Sequence, residues 1–182
     1  MSNENRNRCK GPESPDTGTA SASETGLWKL KFNTFYSYKW HAGLYRFWKF
    51  WEDTAAILPV LLSLSVVGSA IDKVDCRFSL VLAAVSTLLS LFSIAKGFGG
   101  KAAFYSTQSK RYLSLFTRTE RPNADGELES LWNEFDEIEK DDWEEGLEAY
   151  GVSCYNKTAV KLGVPDACKP LSCLRKITMC FF

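Results

Sequence analysis

Two uncharged apolar runs constrain this chain more than any other feature of its sequence. Residues 54–71 (TAAILPVLLSLSVVGSAI) and 78–95 (FSLVLAAVSTLLSLFSIA) are each 18 residues long. A helix of that length spans ~27 Å, close to the hydrocarbon thickness of a bilayer. The alternative is two core helices of a soluble bundle, but the rest of the chain is short for wrapping two fully apolar helices. The sequence therefore favours two membrane-spanning helices.

The charges around these runs predict how the pair is oriented. Residues 72–77 (DKVDCR) form a short charged turn between the spans, which we place at residues 54–71 and 78–96. Residues 27–53 carry five basic and two acidic side chains, and residues 96–121 carry six and one. Since basic residues accumulate on the cytoplasmic side, we expect both termini in the cytoplasm and the turn outside the plasma or inner membrane.

The net charge of zero, from 22 basic and 22 acidic residues, hides an asymmetry along the chain. Residues 1–121 carry a surplus of +7, and residues 122–182 carry −7. No basic surplus covers the whole domain, so we expect no nucleic-acid partner. Residues 1–26 are polar and lack Phe, Tyr, Trp, Leu, Ile and Val, which predicts a disordered N-terminal tail without a cleaved signal peptide.

The segment before the first span is rich in aromatic residues, with 11 among residues 27–51. Trp and Tyr concentrate at membrane interfaces, so residues 27–53 are predicted to form a helix in or rising through the inner interface. The alternative, stacking on single-stranded nucleic acid, is less favoured next to a span. His41 lies here, and a lone histidine is more often packed or interfacial than a ligand. The expected interfacial anchors are Trp28, Trp40, Trp48, Trp51, Lys49, Lys96 and Lys101.

The second span carries small residues at alternating spacings of four and three, which keeps them on one helical face. They are Ser79, Ala83, Ser86, Ser90, Ser93 and Gly97. Small residues let helices approach closely in lipid, which favours helix packing. The alternative is that the serine edge lines a water-filled path between subunits. Neither span contains an ionisable residue, which argues against a proton relay or coupled transporter.

The remaining chain is predicted to be cytoplasmic and mostly helical. Residues 97–121 continue the second span as a helical extension. An acidic helix is expected within residues 122–151, with an N-cap at Asp125 and a glycine stop at Gly151. Its acidic side chains either form a solvated helix face or fold back on the basic flanks of the spans, and the opposite charges of the two halves favour some contact. Residues 152–182 form a cysteine-containing C-terminal tail.

Catalytic and cofactor sites are not indicated. The chain has one histidine and no nucleophile–base pattern, so we predict no enzyme. A metal site from Glu134, Glu137 and Asp141 would lack the Glu-x-x-His pairs of di-metal carboxylate bundles, and we predict no metal and no cofactor. The six cysteines match no zinc spacing, and most lie in a predicted reducing compartment, which argues against a disulfide framework.

The two spans and their flanks resemble the SLATT-type two-transmembrane proteins. The resemblance is carried by YRFWKFWEDTAAILPVLLSLSVVGSA and FSLVLAAVSTLLSLFSIAKGFGGKAAFYSTQSKRYLSLFTRTE, and with the acidic helix it covers residues 34–150. It implies an all-α membrane protein: a two-transmembrane helical hairpin whose helices extend into a cytoplasmic helical bundle. It also implies a membrane effector of a bacterial conflict or antiviral defence system that forms pores when a partner triggers it.

Two classes of function follow as hypotheses. The first is an oligomeric membrane effector that opens or disrupts the bilayer, with a holin-like lytic pore as a variant. The second is a non-conducting adaptor that recruits a soluble cytoplasmic partner. The expected partners are membrane lipid, further copies of the chain and a soluble cytoplasmic trigger protein.

Overall fold

The computed structural model describes residues 22–71, 76–121, 124–142 and 148–169. These residues form five α-helices and no strand: α1 (Ala22–Ile71), α2 (Cys76–Lys96), α3 (Phe98–Thr119), α4 (Leu128–Lys140) and α5 (Glu148–Lys161). A short 3₁₀ turn, Ala124–Glu127, precedes α4, and a second one, Pro165–Ala167, follows α5. The all-α prediction is confirmed for the described residues. The predicted external turn lies largely outside them, as do most of the N-terminal tail and the last part of the C-terminal tail.

The chain forms two compact units. The first, unit 1, combines Met1–Gly43 with Ser106–Phe182, and the second, unit 2, is Leu44–Tyr105. Helix α1 contributes its first part to unit 1 and the rest to unit 2. The predicted interfacial helix and the first apolar run therefore belong to one helix, which also takes in the last residues of the predicted disordered tail.

Unit 1 contains a core that α1, α3 and α4 build together. Every third or fourth residue of α4 is apolar, and Leu131, Phe135 and Ile138 are buried. They pack with Leu30 of α1 and with Tyr112 and Leu115 of α3. This spacing places one apolar stripe of a short helix against its neighbours while the acidic side chains stay outside.

A second core lies on another side of α1, where α5 packs. Phe32 contacts Tyr155 edge-on, with ring centroids 5.2 Å apart, and Ala159 completes the buried cluster. Leu162 and Ala167, which follow α5, cover the cluster from outside. Phe32 is therefore buried in protein, although the sequence predicts an interfacial segment around it.

The predicted acidic helix differs from the structure at both ends. Asp125 lies inside a 3₁₀ turn, so the predicted N-cap is wrong: the cap of α4 is Glu127, and it makes no side-chain cap hydrogen bond. The predicted stop at Gly151 is also wrong, because α4 ends at Lys140 and Gly151 lies within α5.

Close packing explains why α5 has a glycine at this position. A Cβ on Gly151 would lie 3.0 Å from the Trp40 ring and 3.2 Å from the Tyr36 hydroxyl. The glycine is therefore a site of close approach between α5 and α1, and it does not terminate a helix.

Unit 2 places the two apolar helices side by side. Trp48 of α1 stacks on Phe98 at the start of α3, with ring centroids 5.8 Å apart, while Pro59, further along α1, meets Ser86 of α2. A Cβ on Gly99 would lie 2.9 Å from Glu52 Oε1, which makes Gly99 another close approach.

The boundary between α2 and α3 is a single residue, Gly97. Its φ of +60° is left-handed, a conformation that costs an L side chain energy but not glycine. Its amide N–H still donates to the carbonyls of Ser93 and Ile94, both at 3.2 Å. Gly97 therefore ends α2 as a C-terminal cap, in the place where the sequence predicts the end of the second span.

Candidate functional site

The small-residue face of α2 is the candidate site that the sequence identifies. Ser86 Oγ donates to the carbonyl oxygen of Pro59 across the helix pair, at 3.4 Å. Ser90 Oγ donates to the Ser86 carbonyl of its own helix at 3.0 Å. Among the described side chains of α2, those of Leu82, Ser86, Leu89, Ser90 and Ser93 are half-buried. At Ser86 the small face is thus turned toward α1, the arrangement that helix packing requires.

The other members of the predicted stripe are placed differently. Ala83 is exposed, and Gly97 is exposed in the turn that ends α2. Ser79 belongs to α2, but its side chain lies outside the described residues. Among the described residues of the stripe, Ser86 contacts α1, while Ser90 and Ser93 are half-buried.

The opposite surface of α2 is apolar and exposed. Ile94 has 78% of its side chain exposed, and Leu88 has 66%. Val85, Leu88, Leu89, Leu91, Phe92 and Ala95 line an open apolar groove on this helix. In α1 the exposed apolar side chains are Ile57, Leu58, Val60, Leu61 and Leu64.

Within the part of the chain that the structure describes, length and composition identify one segment that is able to cross a membrane. It is Leu80–Thr119, 40 residues long, and none of its most apolar stretch is buried. A buried core helix of a soluble protein would be covered by other elements, so the exposure separates this segment from that alternative. This supports the membrane prediction for the second run. The side chains of residues 65–71 lie outside the described part of the structure, so the exposure of the first apolar run, residues 54–71, is known only in part.

The predicted interfacial anchors fall into two groups. In unit 1, Trp28 and Trp40 are half-buried against Phe32 and Tyr150, with ring centroids 5.6 and 5.4 Å apart. In unit 2, the anchors gather where the apolar surface ends: Trp48, Trp51, Lys49, Lys96 and Lys101. The interfacial role stays a prediction for both groups.

The Lys49 side chain is held by two carboxylates of its own helix. Its Nζ lies 2.9 Å from Asp53 Oδ1 and 3.1 Å from Glu52 Oε2. These hydrogen bonds, first that of Asp53 and then that of Glu52, raise the pKa of Lys49 above its ordinary value. Glu52 and Asp53, which directly precede the first apolar run, therefore both pair with Lys49 of the same flank.

A polar cluster around His41 is the site that the sequence does not identify. His41 is only 2% exposed, and its Nε2 donates to Asp142 Oδ2 at 3.0 Å. The Tyr112 hydroxyl donates to the same oxygen at 3.1 Å, and the His41 and Tyr112 rings stack 5.2 Å apart. His41 is therefore packed inside unit 1, which is one of the two environments, packed or interfacial, that the sequence favours for it. Its partner lies 101 residues away, which no local pattern reveals.

The acidic residues of α4 pair with basic residues of α3, as the charge asymmetry predicts. Arg118 forms an ion pair with Glu134, and Arg111 Nη1 lies 2.7 Å from Asp141 Oδ2. Two of the three carboxylates considered as metal ligands are thus paired with arginines. Among the residues that the structure describes, no group of three His, Cys, Asp or Glu side chains is arranged to hold a metal ion.

Cys154 and Cys168, whose side chains the structure describes, are free thiols in contrasting surroundings. Cys154 is buried in unit 1, and that burial raises its pKa to about 11, while Cys168 is exposed. Asn156 fixes the residue after Cys168: the Asn156 side-chain amide donates to the Lys169 carbonyl at 2.8 Å, and its Oδ1 accepts from the Lys169 backbone N–H at 2.7 Å.

Thiol reactivity should separate these cysteines. We expect a thiol-specific chromogenic reagent at pH 8 to modify Cys168 at least about 100-fold faster than Cys154, because only the thiolate reacts. The measurement uses two variants that keep one of these cysteines each, with all other cysteines replaced by alanine. In denaturant the two rates should converge. Equal rates in native buffer would contradict the buried position of Cys154.

The helix contact at Ser86 makes a second prediction. Ser86→Leu should lower the thermal stability of unit 2 in detergent, since the larger side chain must displace the Pro59 backbone, at a cost of about 1–3 kcal/mol. Thr87→Leu is the matched control: the neighbouring Thr87 is exposed and bonds only within α2, to the Ala83 carbonyl at 2.9 Å. An equal loss for both variants would contradict the contact.

Comparisons of the chain with protein-family models, with curated proteins and with solved structures found no significant match.

Proposed function

We propose that this chain is a two-span membrane protein that acts as an oligomeric membrane effector. In this proposal α1 and α2 cross the bilayer as a hairpin, both termini lie in the cytoplasm, and unit 1 is the cytoplasmic domain. The effector opens or disrupts the bilayer when a soluble partner triggers it. The resemblance to SLATT-type proteins supports the effector role.

The exposed apolar surface of α2 is the observation that carries the proposal. Leu80, Leu88 and Ile94 are among its most exposed side chains, and water is a poor environment for a continuous surface of this kind. Unit 1, in contrast, buries its apolar side chains in its own cores. One chain thus combines a unit with a buried core and a helix whose apolar side chains need lipid or further copies of the chain.

A charge in α2 tests the membrane part of the proposal. Leu88→Arg places a charge near the middle of the predicted span, where insertion costs about 2.5–3.5 kcal/mol. We expect this variant to leave the carbonate-resistant membrane fraction, whereas Leu113→Arg, at an exposed position of α3 in unit 1, should remain there. A wild-type chain extracted by carbonate would refute membrane insertion.

Conductance and particle mass test the effector part. Purified protein in nanodiscs should form particles of several copies, and triggered expression should depolarise cells. A stable monomer, or unchanged membrane potential when the triggering partner is present, would refute an oligomeric pore and leave membrane insertion standing.

The second candidate function is a non-conducting adaptor, and the position of Ser86 favours it. A pore lined by the serine edge needs Ser86 to face water, but its hydroxyl bonds to Pro59 within the helix pair. An adaptor needs no such rearrangement. Its expected properties are a monomer or dimer in mild detergent and a partner that binds unit 1.

A further inference from the structure

We propose that the inner end of unit 2 binds acidic phospholipid headgroups. The surface is a basic–aromatic collar made of Trp48, Trp51, Phe92, Lys96, Phe98 and Lys101. The inference rests on the proposed membrane insertion and adds the class of lipid that the membrane must supply.

The collar has an aromatic centre drawn from three helices. Phe98 of α3 is buried, and the rings of Trp48 and Trp51 from α1 lie 5.8 and 6.4 Å from it. Phe92 of α2 contacts it edge-on at 5.9 Å. The Trp48 Nε1 is buried in this cluster, whereas the ring of Trp51 is exposed, and its amphipathic edge suits the headgroup region.

Two lysines lie directly on this aromatic centre. Lys101 Nζ is 4.5 Å from the centroid of the Trp48 ring, and Lys96 Nζ is 5.8 Å from that of Phe92. Cation–π contacts of this length hold an ammonium group at a defined depth beside the rings. The two positive charges are therefore fixed at the level where the tryptophans favour the interface.

The collar also marks the end of the exposed apolar surface. Phe92 and Trp51 are themselves exposed. Ile94, which lies two residues before Lys96, has 78% of its side chain exposed. Headgroup phosphates follow directly above acyl chains in a bilayer, so ammonium groups at this boundary meet them. The apolar neighbours favour a lipid over a dissolved anion.

The local charge balance also favours acidic lipid headgroups. Residues 44–53 and 96–101 contain four basic and two acidic side chains, and both acids bind Lys49. A positive surplus therefore remains at this end of unit 2. Each basic residue near an anionic leaflet adds to the attraction, which is why juxtamembrane lysines favour acidic lipids.

Quenching by brominated lipids tests the proposal in the full-length protein. The protein is reconstituted into mixed bilayers of phosphatidylcholine and phosphatidylglycerol, with bromine on the chains of one lipid at a time, and tryptophan fluorescence is recorded. We expect phosphatidylglycerol to be enriched about three- to five-fold over phosphatidylcholine around the collar tryptophans. Equal quenching by the two lipids would overturn the proposal.

Three double variants localise the effect, and two of them remove the same number of charges. K96Q/K101Q should remove most of the enrichment, K96R/K101R should retain it, and K29Q/K110Q, which neutralises two exposed lysines of unit 1, should leave it unchanged. Loss of enrichment in K29Q/K110Q alone would overturn the assignment to the collar.

Two further outcomes separate the alternatives. Millimolar inorganic phosphate at constant ionic strength should leave the enrichment intact, and displacement by phosphate would replace the lipid site by a small-anion site. If neither brominated lipid quenches the protein, insertion itself fails and the proposed function falls with it. Quenching without lipid preference leaves the proposed function standing and refutes only the collar.

Discussion

Replacing Gly43 by alanine is expected to destabilise unit 1 by about 1–3 kcal/mol. A Cβ at this position would lie 1.6 Å from the Tyr150 hydroxyl and 2.2 Å from the ring carbon that bears it. Tyr150 is buried, and its hydroxyl donates to the Lys39 carbonyl at 2.9 Å, so its ring has little room to retreat. Alanine gains about 1 kcal/mol of helix propensity over glycine, but the clash and the lost hydrogen bond exceed that gain.

The matched control for this change is Gly100→Ala in α3. A Cβ on Gly100 would meet nothing within 4 Å, so this variant should keep or raise stability by up to about 1 kcal/mol. Denaturant unfolding followed by circular dichroism measures both. Adding Tyr150→Leu to Gly43→Ala should recover part of the loss, because the ring that clashes is removed. A Gly43→Ala variant as stable as the wild type would contradict the packing of α5 on α1.

The sequence predicts those parts of the fold in which a local pattern is enough. The small-residue spacing in α2 identifies the face that meets α1 at Ser86, and the charge asymmetry anticipates the pairing of Arg118 with Glu134. Arg121 before a proline predicts the end of the extension, and α3 ends at Thr119. In each case the structural feature is determined by residues that are close in sequence or by side chains of opposite charge.

The errors arise where the environment of a residue comes from a distant segment. Gly151 has the chemistry of a helix stop, yet it sits inside α5 because Trp40 and Tyr36 leave no space for a side chain. The interfacial role of the aromatic stretch stays a prediction, and within that stretch Phe32 packs against Tyr155, which is more than a hundred residues away. Composition alone does not distinguish a ring in lipid from one in a core.

The cluster of His41, Tyr112 and Asp142 is a site that the sequence does not identify, because its residues come from distant parts of the chain. From the sequence, His41 is expected to be packed or interfacial, and its partners are not identified. In the structure, α1 and α3 bring two rings together, and the residues after α4 add the carboxylate that accepts from both. Because all three groups come from different elements, their convergence depends on the tertiary packing of unit 1.

Removing the Asp142 carboxylate is therefore expected to have a large effect on unit 1. Asp142→Ala leaves the His41 Nε2 and the Tyr112 hydroxyl without this acceptor, and His41 is buried, so we expect a loss of about 2–4 kcal/mol. The adjacent Asp141→Ala is the control, because its ion pair with Arg111 is solvent-exposed and contributes about 0–1 kcal/mol.

A double-mutant cycle shows whether the loss belongs to the His41–Asp142 contact. His41→Leu removes the buried donor and leaves Asp142 with Tyr112, and Leu fills part of the space with apolar atoms. The combined variant should be more stable than the sum of the two single losses implies, by about 1–3 kcal/mol, since the second change no longer removes a partner. Urea unfolding of the four chains, followed by near-ultraviolet circular dichroism of the aromatic cluster, provides the energies. If the losses in the free energy of unfolding were strictly additive, or if Asp142→Ala cost no more than Asp141→Ala, the contact between His41 and Asp142 would carry no coupling energy. Appreciable coupling would instead identify this contact as the link that holds the residues after α4 against α1 and α3.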